Sequence, residues 1–165
     1  MVRFLHTSDW QLGMTRYFFS EGTQERYNQA RFDAIRTLGK IAKAENCQFI
    51  TVCGDVFESN QVERKTVDRA LEALRELTVP VFILPGNHDP LNDVSVYRSS
   101  VFTHGKPAHV HVIDNSIPFR IGDNVELVGA PLEMVKNYVT LASNHVAMQH
   151  HKYSPLDRLN LRGIG

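Results

Sequence analysis

Three apolar runs each break off into a short polar cluster: Arg3 to Ser8 into Asp9-Trp10-Gln11, Phe49 to Gly54 into Asp55, and Val81 to Gly86 into Asn87-His88-Asp89. Each run reads as a buried strand, and the strands of an open parallel sheet all present their carboxyl ends at the edge where ligands bind. Two carboxylates, two amides and an imidazole are therefore expected at one place. That set suits a pair of divalent cations, which need a shared carboxylate between them and oxygen or imidazole donors outside it. Such a pair holds a phosphate and lowers the pKa of a bound water. Asp55 has the central position for bridging, with Asp9 serving one metal and the side-chain oxygen of Asn87 the other. His88 can face the substrate and donate a proton to the leaving oxygen. Asp89 can hold the His88 tautomer, as carboxylates behind a working histidine often do.

Each cluster also has a plainer reading. Asp9 could cap a loop, Gly54-Asp55 is a common turn dipeptide, and Pro85-Gly86-Asn87 is turn chemistry. Their joint placement at three successive strand ends favours the metal site. The remaining histidines keep plain readings: His109 and His111 alternate with Val110 and Val112 and are expected on the exposed face of a strand. His6 is expected to pack behind the site, and His104 to sit in a loop.

The elements that must position these residues alternate strand and helix up to about residue 100. After the first strand, Thr23 is the expected N-cap of a helix whose apolar face is Tyr27, Ala30, Ala34, Leu38 and Ile41, ending near Asn46. Phe49 to Cys53 is the second strand. Asn60, with Glu63 three residues on, is the expected cap of a second helix with the stripe Val67, Ala70, Leu71, Leu74 and Leu77. Pro80 ends it and introduces the third strand, Val81 to Leu84. Right-handed crossovers make this a parallel sheet. Shorter extended segments follow at His109 to Ile113, Ile117 to Ile121 and Val125 to Gly129, the last two flanking the hairpin residues Gly122-Asp123-Asn124. Residues 1–131 form the main body, and 132–165 read as an irregular tail or a truncated continuation of the same domain.

The chain has 165 residues, 42% of them hydrophobic, which is the size of one domain with a substantial core. Its 18 basic and 18 acidic residues balance, so attraction for phosphate must be local. Cys47 and Cys53 flank or lie within one strand as small buried thiols rather than a disulfide framework, the usage of a reducing compartment. No apolar run approaches membrane-spanning length, and a cytoplasmic protein is expected.

His6-Thr7-Ser8-Asp9-Trp10-Gln11-Leu12-Gly13, Gly54-Asp55-Val56-Phe57-Glu58 and Gly86-Asn87-His88-Asp89 resemble the first three motifs of the calcineurin-like metallophosphoesterases. Within that superfamily they look most like the SbcD-type DNA exonucleases and their double-strand-break repair relatives. The resemblance implies an α/β fold, an αββα sandwich of two mixed β-sheets flanked by helices, here incomplete at the carboxyl end. It implies two bound Mn²⁺ ions and hydrolysis of phosphodiester bonds, with DNA or another phosphodiester as substrate. In a full-length protein it further implies a homodimer and an SMC-like ATPase partner. By the same resemblance, Asp9 binds the first metal, Asp55 bridges, Asn87 binds the second, and His88 is the catalytic acid or substrate-orienting group.

Two departures qualify the resemblance. The family pattern has histidine where this chain has Gln11, and an amide oxygen is a weaker donor than imidazole, so a looser first metal is expected. The later Gly-His-x-His pair is missing from the sequence. His145, His150 and His151 are the candidates in range, with Val146 to Met148 as a strand that delivers His150 or His151; His150 is the ligand expected. The simplest account is the amino-terminal part of a longer protein. The competing function is a catalytically weak or inactive module with a structural or interaction role.

Overall fold

The computed structural model describes residues 2–122, 125–130 and 145–149. Four short strands, β1 (Phe4–Thr7), β2 (Phe49–Cys53), β3 (Val81–Leu84) and β4 (Val110–Val112), form one sheet in the order β1-β2-β3-β4. All three pairings are parallel, with Phe4 opposite Phe49, Ile50 opposite Val81 and Val81 opposite Val110. Helices make the returns: α1 (Glu21–Ala44), α2 (Arg64–Arg75) and the short α3 (Ser100–Gly105). Each crossover brings the chain back to the same end of the sheet, which is what makes the strands parallel.

All five residues of β2 are buried, because both faces of the sheet are covered. The two-residue period divides them. Ile50 and Val52 pack with Val81 and Ile83 against α1 and α2, whereas Phe49 and Cys53 join Phe82 and Leu84 against a second sheet. That second sheet holds β5 (Phe119–Ile121), β6 (Val125–Ala130) and β7 (His145–Gln149) in this order. β5 and β6 form the expected antiparallel hairpin, and β7 runs parallel to β6. Mixing of strand directions is thus confined to the second sheet among the described residues. The layers are helix, sheet, sheet. Cys47 and Cys53 are both buried and form no disulfide among the described residues, and burial pushes the Cys53 thiol up to about 12.

Several expectations need correction. α1 starts after Ser20 rather than Thr23, and its buried residues are Phe32, Ile35 and Ala42; Ala30 and Ala34 face outward and Ile41 is exposed. The two stripes lie on adjacent faces, and packing against the sheet chose the one with the larger side chains. Asn60 does not cap α2, whose N-cap position is Glu63. It ties two loops instead, donating to Pro90 O at 2.9 Å and accepting from the Val96 amide at 3.0 Å. His104 lies in α3, not in a loop. His111 is half-buried and stacks on Phe82 with ring centroids 5.1 Å apart, because its position on β4 faces the second sheet. His109 is also half-buried, its Nε2 lying 3.1 Å from Leu74 O.

Candidate functional site

Because β1, β2 and β3 run parallel, their carboxyl ends fall on one edge, and the loops beyond them stay joined. Asp9 N donates to Gly54 O at 3.1 Å, Gln11 N to Asp55 O at 2.8 Å, Leu12 N to Val56 O at 2.8 Å, and Gly54 N to Leu84 O at 2.9 Å. The sheet pairing therefore continues into the loops and brings Asp9, Gln11 and Asp55 together. Asp9, Gln11 and Asp55 all have positive φ, at 54°, 44° and 54°. A non-glycine residue in this region costs about 1–2 kcal/mol, and such conformations collect at functional sites.

The third loop closes over the second. The Asp55 carboxylate is buried, 4% exposed, and its Oδ1 accepts the His88 amide hydrogen at 2.9 Å. Gly86 packs directly on Asp55, and a Cβ there would overlap both the Asp55 carboxylate and its amide nitrogen. Asn87 is half-buried beside them. His88 is exposed, with Nδ1 3.0 Å from Glu58 O and 3.9 Å from Glu58 Oε1. A carbonyl oxygen only accepts, so Nδ1 carries the hydrogen and Nε2 is left to hold or release a proton.

Asp89 has a different place from the expected one. It is fully buried and accepts from Gly86 N at 2.7 Å, Phe57 N at 3.0 Å, Asp55 N at 3.2 Å and the Tyr97 hydroxyl. The His88 ring is oriented by Glu58 O, while Asp89 binds the second and third loops to each other. Burial pushes the Asp89 carboxyl up, and the hydrogen bonds from Tyr97 and the backbone of Phe57 and Gly86 pull it back. Burial, and then the neighbouring Asp89 charge, raises Tyr97 well above its ordinary value, so its hydroxyl stays a donor. Tyr97 and Glu58 are the residues that sequence reasoning did not single out. Glu58 belongs to the second motif and carried a signal; Tyr97, in a 3-10 turn over Val96–Arg98, carried none.

A groove of about 700 Å³ runs from this edge along α1, lined by Thr7, Asp9, Trp10, Arg31, Ile35 and Leu38 among others. No group of three or more His, Cys, Asp and Glu side chains gathers as a metal cage among the described residues. Of the ligands expected from the sequence, the described ones, Asp9, Gln11, Asp55 and Asn87, offer oxygen donors only, which are the kind that suits hard divalent cations such as Mg²⁺ and Mn²⁺. Glu58 Oε2 is also buried without a hydrogen-bond partner among the described residues, an acceptor left over beside His88. His150 lies outside the described residues.

Fold and edge together define an α/β protein with two facing sheets and acidic and amide side chains on the loops at one sheet edge. The pattern of the calcineurin-like phosphoesterases matches residues 2–163, and the chain belongs to that family. It is 29% identical over 101 residues to the DNA double-strand break repair protein Mre11 of Archaeoglobus fulgidus, covering 59% of this chain and 22% of that protein. It is 30% identical over 124 residues to the SbcD component of the nuclease SbcCD of Bacillus subtilis, covering 73% and 30%. To the same component of Escherichia coli K12 it is 34% identical over 100 residues, covering 59% and 24%. The chain thus spans between 22% and 30% of the length of these relatives. No helix among the described residues is long and apolar enough to cross a membrane.

Proposed function

We propose that this chain carries the amino-terminal part of a divalent-metal phosphodiesterase acting on DNA as an exonuclease in repair. The observation that supports it best is the joined edge itself: Asp9, Gln11 and Asp55 on two hydrogen-bonded loops, with His88 donating its amide to the Asp55 carboxylate. Asp9 and Gln11 would hold one cation, Asn87 the other, and Asp55 both; His150 is the further ligand proposed. Two Mn²⁺ ions would supply a polarised phosphate and an activated water. His88 presents Nε2 outward, where as imidazolium it protonates the leaving oxygen. Glu58 O holds the His88 ring, and Asp89 acts at one remove, as the anchor of both loops.

The names of the relatives, a double-strand break repair protein and one component of a nuclease, support DNA as the substrate. A nuclease built from more than one kind of chain supports a partner, for which we propose an SMC-like ATPase, with a second copy of this chain forming a dimer. Two buried cysteines that form no disulfide among the described residues agree with a reducing compartment, the cytoplasm.

Calorimetric titration of Mn²⁺ into the protein and into Asp55→Asn tests the site, with hydrolysis of end-labelled DNA as the second readout. Metal binding and turnover that both fail in Asp55→Asn are expected. A folded protein that binds partners but turns over no phosphodiester at saturating Mn²⁺ would replace this reading with that of an inactive interaction module.

A further inference from the structure

The loop that carries Gln11 continues into Tyr17-Phe18-Phe19, which the chemistry above leaves unused. Tyr17 is 100% exposed and Phe18 64%. The rings are nonetheless ordered against one another: Tyr17 on Phe18 at 5.2 Å, Phe18 on Phe19 at 4.9 Å and Phe19 on Tyr27 at 5.3 Å, all edge to face. Below them, Arg31 lies over the Tyr27 ring at 4.6 Å and donates to the Tyr27 hydroxyl and to Trp10 O. The hydrogen bond from Arg31, and more weakly the Arg16 guanidinium, holds the Tyr27 hydroxyl below its ordinary value. Among the described residues, Arg3, Arg36, Arg64, Arg69, Arg98 and Arg120 each pair with a carboxylate, whereas Arg16, Arg26, Arg31 and Arg75 do not. Arg31 against Tyr27 and Arg16 next to Tyr17 in the chain thus bring positive charge without a paired carboxylate to this loop.

We infer that Tyr17 and Phe18, with Arg16 beside them, form a stacking platform for the bases of a single-stranded nucleic acid whose backbone leads to the Asp9–Asp55 edge. This rests on the phosphodiester reading above. Aromatic faces accept any base, and a neighbouring guanidinium holds the phosphate between bases, the combination that single-strand binders use. Bases within a duplex are already stacked and their faces are not available, so the platform favours unpaired ends. A protein partner would be served by the apolar rings but not by the uncompensated positive charge. Continuity of the loop with Gln11, whose amide is bonded to Asp55 O at 2.8 Å, makes the platform an approach to the site rather than a remote patch.

The test compares the wild-type protein, Tyr17→Ala/Phe18→Ala and Tyr17→Phe. Affinity for a fluorescent oligothymidine and for a blunt duplex is read by anisotropy, and the Mn²⁺-dependent rate by bis(p-nitrophenyl) phosphate, a diester without bases. Stacking on a side chain contributes about tenfold or more in affinity per base. The double alanine variant is expected to lose at least that on oligothymidine and less on duplex, with the small-diester rate unchanged; Tyr17→Phe keeps its ring and its affinity. Arg16→Ala is expected to lower the salt dependence of oligothymidine binding by about one ion. Equal oligothymidine affinity in wild type and double variant would overturn the platform. So would a wild-type dimer that dissociates on the double substitution without change in oligothymidine affinity, since the rings would then cover a second copy. Ring-dependent binding by a protein that leaves bis(p-nitrophenyl) phosphate intact would support the platform and remove the enzymatic reading alone.

Discussion

The His88 amide donates its hydrogen to Asp55 Oδ1 at 2.9 Å, so the proposed proton donor and the proposed bridging carboxylate are tied by one bond between separate loops. The tie fixes the orientation of the Asp55 carboxylate at the sheet edge. It also means that movement of the third loop displaces both residues together.

Gly86→Ala follows from the same closeness. Its Cβ would overlap the Asp55 carboxylate and amide, neither of which can move without breaking the joined loops. Overpacking of this kind costs about 3 kcal/mol, at the upper end of the usual range. Urea unfolding and Mn²⁺ titration should both weaken; an unchanged unfolding midpoint would mean that the loops part more freely than their packing implies.

Asp89→Ala would leave three buried amides and the Tyr97 hydroxyl without their acceptor. A loss of about 3–5 kcal/mol is expected, as for removal of one member of a buried charged network. Tyr97→Phe takes away one donor of four and should cost about 1–2 kcal/mol. Thermal unfolding of both variants checks the order, and a larger loss in Tyr97→Phe would contradict the central role given to Asp89.

His88→Ala acts on chemistry rather than folding. The ring is exposed and its Nδ1 meets Glu58 O, so stability should change by less than about 1 kcal/mol. Turnover of a phosphodiester with a poor leaving group should fall about 10²- to 10⁴-fold. A leaving group that needs no proton, such as p-nitrophenolate, should show a much smaller drop; equal drops on both would assign His88 to substrate orientation.

His111 should make stability depend on pH. Burial lowers its pKa first, and the nearby charges of Lys106 and His109 lower it further. The unfolded chain then takes up the proton at a higher pH than the fold does, so stability rises with pH from the lowered folded value up to about 6.5 and is level above it. His111→Phe, which keeps a ring against Phe82, should flatten the rise in urea midpoints between about pH 5 and 7. A slope unchanged by the substitution would move the titration to another histidine.

The strands that build the site were legible in the sequence because they are local patterns. Phe49–Cys53 and Val81–Leu84 are apolar runs ended by turn residues, and α2 repeats Val67, Ala70, Leu71 and Leu74 at helical spacing. From parallel strands alone it followed that Asp9, Asp55 and Asn87 share an edge. What the tertiary structure decided were partners far apart in the chain. Two apolar stripes competed on α1, and only packing on the sheet selected Phe32 and Ile35. His111 alternates with valines as a surface residue would, yet a second sheet covers it. Asp89 stands next to His88 in sequence, but backbone direction turns its carboxylate inward to Phe57 and Tyr97, and the imidazole outward to Glu58. Periodicity records which way a side chain faces along its own element; a hydrogen bond across about thirty residues depends on which loop arrives there, and no local pattern carries that information.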